Sequence, residues 1–231
     1  SADFNTTRSK GDKRTTLVYD NTGIHSNEML AAGLHGMLTN PAQEWFSLRI
    51  KNDEQGLADD EEVKEWLEET TQTITAELSA PDVAFASHIH EYYLSLCSIG
   101  TAVMFIGEPS QREGISFRTI HVNEIFIAEN FDGIVDTVFR SFKMPLRQIV
   151  QKWGENALSQ RQKRSWEKKE FDKEFDILHC VYPREDYVKG KKARNMLPVA
   201  SIYLDEKEKH ILDEGGFDEM PYMVSRWAKA T

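Results

Sequence analysis

The chain has 231 residues, of which 40% are hydrophobic and 29% charged, and its formal net charge is −10 at pH 7. That length suits one large domain or two small ones, with a core able to cover roughly 70–75% of the unfolded surface. No stretch approaches the ~20 apolar residues needed to cross a bilayer, and the acidic balance disfavours a non-specific grip on duplex DNA, which needs Lys and Arg.

Residues 1–16 are nearly devoid of apolar side chains and read as a mobile arm, with no apolar segment of signal-peptide type. A first helix is expected over 22–39, where Leu30, Leu34, Met37 and Leu38 recur at helical spacing as one stripe. Ala32, Gly33 and Gly36 would let another backbone approach it closely, and Asn40-Pro41 ends it. Residues 45–50, led by Trp45 and Phe46, suit a strand. After a polar loop over 52–59, Asp59, Asp60, Glu61 and Glu62 place carboxylates at a helix start, where the macrodipole favours them. Val63, Trp66, Leu67, Thr70, Ile74 and Leu78 form the expected buried stripe of that helix. Ser79-Ala80-Pro81-Asp82 reads as the cap of a third helix, with Phe85, Ile89, Tyr92, Tyr93 and Leu96 inward and Gly100 at its end. Trp66, Phe85, Ile89 and Tyr93 are thus expected in one core.

From there the period shortens. Strands are expected over 101–106, 115–120 and 125–128, then a turn at Asn130-Phe131-Asp132-Gly133 and a strand over 134–142. Residues 145–153 read as a short helix with Leu146, Ile149, Val150 and Trp153 inward and Gly154 closing it. Residues 159–169 are charged and read as an exposed helix. Strands over 175–182 and 197–204 follow, and then a hairpin bending at Gly215-Gly216. Helices first and strands later, mainly antiparallel, give an α+β fold.

No phosphate loop, dinucleotide fingerprint, nucleophile elbow or zinc-helix motif occurs. His88 and His90 stand about 200° apart on a helix and cannot share a metal, and His179 and Cys180 alternate on a strand. Cys97 and Cys180 match no metal or redox spacing and read as free thiols of a reducing compartment. No catalytic, cofactor or metal site is expected. Two basic patches stand out. Arg161, Lys163, Arg164, Lys168 and Lys169 form one, interleaved with Glu167 and Glu170; Lys189, Lys191, Lys192 and Arg194 form the other. Each suits contact with DNA phosphates or an acidic partner, and the alternative is a solvated helix face or loop, the reading that the interleaved Glu167 and Glu170 favour for the first patch.

An ordered set of landmarks resembles the podovirus-type bacteriophage portal protein family, the head-to-tail connectors. These are Tyr19-Asp20-Asn21-Thr22-Gly23, Leu30-Ala31-Ala32-Gly33-Leu34 and Leu38-Thr39-Asn40-Pro41, then Trp45-Phe46, Val63 and Trp66-Leu67. Gly100-Thr101-Ala102, Glu124, Asp132-Gly133, Asp136-Thr137 and Arg140 follow, then His179 to Pro183, Gly215-Gly216-Phe217, Pro221 and Arg226-Trp227. The resemblance implies a wing-like α+β domain over 17–231, the N-terminal part of a longer subunit whose stem and clip lie outside this chain. It further implies a structural, non-enzymatic role in a dodecameric ring at one capsid vertex, without cofactors or membrane. Expected partners are other copies of the chain, the terminase motor, capsid and tail or adaptor proteins, and double-stranded DNA passing without sequence specificity. Its place would be the virion, and the host cytoplasm during assembly. Another phage structural or assembly protein, or an enzyme with an unrecognised site, is the alternative.

Overall fold

The computed structural model describes residues 20–51, 56–109, 113–187 and 196–228. The chain divides into two compact units, Ser1–Val122 with Met223–Thr231, and Asn123–Tyr222. The architecture is α+β, helical first and then antiparallel β, as the period change predicts.

The first unit holds α1 (Thr22–Leu38), α2 (Glu61–Ser79) and α3 (Phe85–Ile99), with β1 (Thr101–Gly107), β2 (Ser116–Ile120) and most of a last strand, β8 (Tyr222–Arg226). The strand order is β2-β1-β8, with Val103 opposite Ile120 in the antiparallel β1–β2 pair. Ala31, Val83, Ile89, Tyr92, Tyr93, Ala102, Met104 and Phe117 form its buried core. Helix α3 carries that core on one face and ends as its sequence requires: Gly100 adopts φ 82°, and its N–H donates to the Leu96 carbonyl. Only glycine enters that left-handed cap without a Cβ penalty.

Helix α1 uses a different face from the one expected. Ala31 is fully buried and Leu34 packs on the core, whereas Leu30, Met37 and Leu38 are exposed. Helix α1 packs on α3, where the Asn27 carboxamide donates to the Leu94 carbonyl at 3.3 Å and the His35 ring lies 6.1 Å from that of Tyr93. Gly33 and Gly36 point away, with nothing within 4 Å of where a Cβ would stand.

Helix α2 starts as read. The Asp60 carboxylate accepts from the N–H groups of Glu62 (2.9 Å) and Val63 (3.3 Å), with Glu61 and Glu62 in the first turn. Its stripe is covered far less than expected. Thr71 alone is buried, and Trp66 remains 62% exposed, so Trp66 does not share the core of Ile89 and Tyr93. Residues 45–50 form no strand. The Leu48 N–H donates to the Thr71 hydroxyl at 3.3 Å, and Trp45 stacks on Phe85 with ring centroids 5.9 Å apart. The aromatics serve to pack this segment on helices, and its backbone has no ladder to join. Helix α3 begins later than the Pro81 cap implied, after a turn in which Ala84 takes φ 52°.

The second unit is a five-stranded antiparallel meander, β3 (Ile125–Glu129), β4 (Val135–Pro145), β5 (Glu174–Pro183), β6 (Val199–Asp205) and β7 (His210–Phe217). Helices α4 (Leu146–Trp153) and α5 (Gln160–Glu167) lie between β4 and β5 in the chain. Leu146, Ile149, Leu158, Phe175, Ile177 and Leu212 make its core. At the β3–β4 turn the Asn130 carboxamide oxygen accepts from the N–H groups of Asp132 and Ile134, both at 3.0 Å, and Gly133 takes φ 75°. Asparagine and glycine are where such a turn needs them.

Two expectations fail in this unit. Gly215-Gly216 is no bend; it lies inside β7, opposite Ser201 and Ala200. The β6–β7 turn falls at residues 206–209, organised by Asp205, whose carboxylate accepts from the N–H groups of Lys207 (3.0 Å) and Glu208 (3.2 Å). Gly215 instead leaves its carbonyl to the Arg184 guanidinium at 3.0 Å. Helix α5 is not a solvated rod either. Ser159, Gln162 and Ser165 are buried, and Ser159 and Gln162 close a reciprocal capping box.

Candidate functional site

The basic residues Lys189, Lys191, Lys192 and Arg194 lie outside the described residues. The other patch sits on and just after α5. Arg161 is committed to the fold: its backbone N–H donates to the Glu208 carboxylate at 3.1 Å, its guanidinium lies 3.6 Å from the fully buried Asp205, and it covers the Phe175 ring at 4.8 Å. That backbone hydrogen bond holds the Glu208 carboxyl below the usual carboxylate range. Lys163, Arg164, Lys168 and Lys169 are exposed.

The histidines separate as the spacing predicts. His88 approaches Glu91 at 3.6 Å, and His90 approaches Glu28 at 3.7 Å. Helix packing then adds a neighbour that spacing along one helix does not reveal, since the His35 and His90 rings stand 5.5 Å apart. Burial, and secondarily His90, depresses the pKa of His35 below its ordinary 6.5. Among the described residues no group of three or more His, Cys, Asp or Glu side chains is placed to hold a metal ion. No described helix is long and apolar enough to cross a membrane. Both cysteines are free, and burial pushes both thiols up, Cys97 and Cys180 alike, away from the reactive thiolate.

One buried polar cluster was not read from the sequence. His179 stacks on Tyr203 with ring centroids 3.9 Å apart, and its ring nitrogens meet the Ser201 hydroxyl at 3.0 Å and the Tyr222 hydroxyl at 2.8 Å. A serine on a histidine is half of a nucleophilic pair. Here the histidine is 1% and the serine 6% exposed, so the pair is a satisfied core contact between strands. The register His179↔Tyr203 carries it, and pairing of strands so far apart in sequence left no local signal.

The first unit contains a hollow of about 390 Å³ between the end of α1, the end of α2 and the start of α3. Pro41, Trp45, Leu78, Pro81 and Phe85 give it apolar walls, with Ala84 and Ala86 at the α3 end. Thr39, Gln43, Thr75, Ser79 and Ser87 also line it, so hydroxyl and amide groups stand beside the aromatic wall, with no acid–base pair among the lining residues.

Comparison with known proteins supplies what the side chains do not. The chain is 29% identical over 220 residues to the portal protein of Salmonella phage epsilon15, covering 94% of this chain and 39% of that protein. It is 26% identical over 223 residues to the probable portal protein of Bordetella phage BPP-1, covering 96% of this chain and 39% of that protein. A 61-residue stretch is 41% identical to part of a phenolphthiocerol synthesis polyketide synthase type I of Mycobacterium marinum, 26% of this chain and 3% of that protein. The chain thus spans about two fifths of the length of the two phage relatives. The sequence profile of the bacteriophage head to tail connecting proteins matches residues 1–231, and the chain belongs to that family.

Proposed function

We propose that this chain is part of a structural portal subunit, one copy of a closed ring that joins the phage head to the tail and conducts the genome during packaging and ejection. The observation that carries the reading is the family match over the whole chain, joined by two phage relatives named as portal proteins. The ring is a dodecamer of the complete gene product, set at one capsid vertex of the virion and assembled in the host cytoplasm. Its partners are the terminase motor, capsid and tail or adaptor proteins, and double-stranded DNA that passes without sequence readout. The role is mechanical, and no step of it is catalysed by this chain. Residues 17–231 act as one wing-like part of the subunit behind an N-terminal arm, and Lys189, Lys191, Lys192 and Arg194 contact DNA phosphates or an acidic partner.

Electron micrographs of the complete gene product test this reading. Rings with an axial channel are expected, and a protein that stays monomeric at every concentration would overturn it.

A further inference from the structure

The β3–β4 turn presents an aromatic side chain to solvent without reserve. Phe131 is fully exposed, and Ile134 in the same turn is 63% exposed. The turn is not loose. Besides its two side-chain hydrogen bonds, Asn130 donates its N–H to the Ile134 carbonyl at 2.9 Å and accepts the Gly133 N–H at 3.0 Å. A rigid turn that holds a large apolar ring in water loses little entropy when that ring is buried by a partner, the property of an interface anchor.

The same chain carries a matching hole. The hollow walled by Trp45, Phe85, Leu78 and Pro81 is about 390 Å³. A cavity of ~150 Å³ already takes a benzene ring, so this one has room for a phenylalanine and part of a flanking isoleucine. Trp45 and Phe85 lie nearly parallel, 7° apart, giving an aromatic wall against which a third ring packs. Charge agrees as well. Helix α3 opens on this hollow through Ala84 with no side-chain cap, and next to Phe131 stands the exposed Asp132. A carboxylate brought to an uncapped helix start gains from the macrodipole.

We propose that the Phe131 turn of one copy inserts into the Trp45–Phe85 hollow of a second copy, with Asp132 at the α3 N-terminus. This rests on the self-assembling reading above and names a contact within it. A contact that joins two different surfaces of identical chains is head-to-tail; repeated, it closes a ring or extends a filament. Knob and hole lie on the same chain, and a second copy is the occupant this proposal commits to.

The test uses two surface variants of the chain, Phe131→Asp, which removes the knob, and Ala86→Trp, which fills the hole. Ser87→Trp serves as a second blocked hole should Ala86→Trp not fold by circular dichroism. Self-association is followed by sedimentation at increasing concentration and moderate salt, which screens the charge of −10. Each variant alone should associate at least about tenfold more weakly than the wild type. Mixing the two should restore association, because one supplies the hole and the other the knob, and growth should stop at a pair. Wild-type-like association of either variant alone, or no recovery on mixing, would overturn the contact while leaving self-assembly by another surface in place. A wild-type chain that never associates, alongside rings of the complete gene product, would overturn the contact alone. Monomers of both would overturn contact and ring together.

Discussion

Trp66 and Ile89 were grouped by helical spacing, and the structure separates them by burial. Trp66 is 62% exposed and Ile89 5% exposed. Ile89→Ala should cost about 2–5 kcal/mol in urea unfolding, and Trp66→Ala under about 1 kcal/mol. A loss beyond ~2 kcal/mol for Trp66→Ala in monomeric protein would place that ring inside the fold. His35 gives a test of a different kind. Burial first, and His90 second, lower its pKa in the folded chain, so the unfolded chain takes up the proton more readily. Stability is therefore greatest above the unfolded value of 6.5 and falls as pH drops from 6.5 towards the folded pKa. Glu28 lies 3.7 Å from His90, the other member of the pair. The first unit should melt at a lower temperature at about pH 5.5 than at about pH 7.5, and His35→Asn should flatten that dependence. An unchanged slope in the variant would remove His35 from the account.

At the scale of elements, what was legible depended on whether the signal was local. Helix α4 was read with its inward Leu146 and Ile149 because a 3.6-residue period and a closing Gly154 sit within nine residues. The Asn130–Gly133 turn was read for the same reason, its chemistry being internal to four residues. Residues 45–50 misled because β-branched and aromatic content signals a half-buried surface, and a helix pair offers one as readily as a sheet. Gly215-Gly216 misled because paired glycines commonly mark turns, whereas Asp205 makes the turn. Its carboxylate also accepts the Ser159 hydroxyl at 3.0 Å, tying the turn to the α5 cap. Asp205→Ala should cost about 2–3 kcal/mol, since it strands buried donors that a charged acceptor had satisfied. Thermal unfolding of the variant checks this; a melt within error of the wild type would show that the turn forms without Asp205. The α5 cap itself was within reach of the sequence, because Ser159-Gln160-Arg161-Gln162 has the spacing of a capping box. The buried face of α5 was not, because its buried residues Gln162 and Ser165 are polar.

For the whole molecule, no single element announces the family; the ordered landmarks along the chain and the family match do. No phosphate cradle or metal motif is legible in the sequence. The proposal of Lys189, Lys191, Lys192 and Arg194 as contacts rests on charge alone. A run of lysines is equally a solvated loop, and pairwise chemistry cannot separate the two. Residues 1–231 by themselves should form only weak oligomers. A charge of −10 per copy repels, and one small contact falls short of the ~1,600 Å² usual for stable association. Light scattering at micromolar concentration checks this, and a stable ring from residues 1–231 alone would contradict it. The most direct test of the connector reading is gold labelling of the phage that encodes this chain, with an antibody raised against residues 1–231. The account predicts label at a single vertex of each particle, where head meets tail. Label spread over all vertices, or absent from particles opened to expose that vertex, would contradict it.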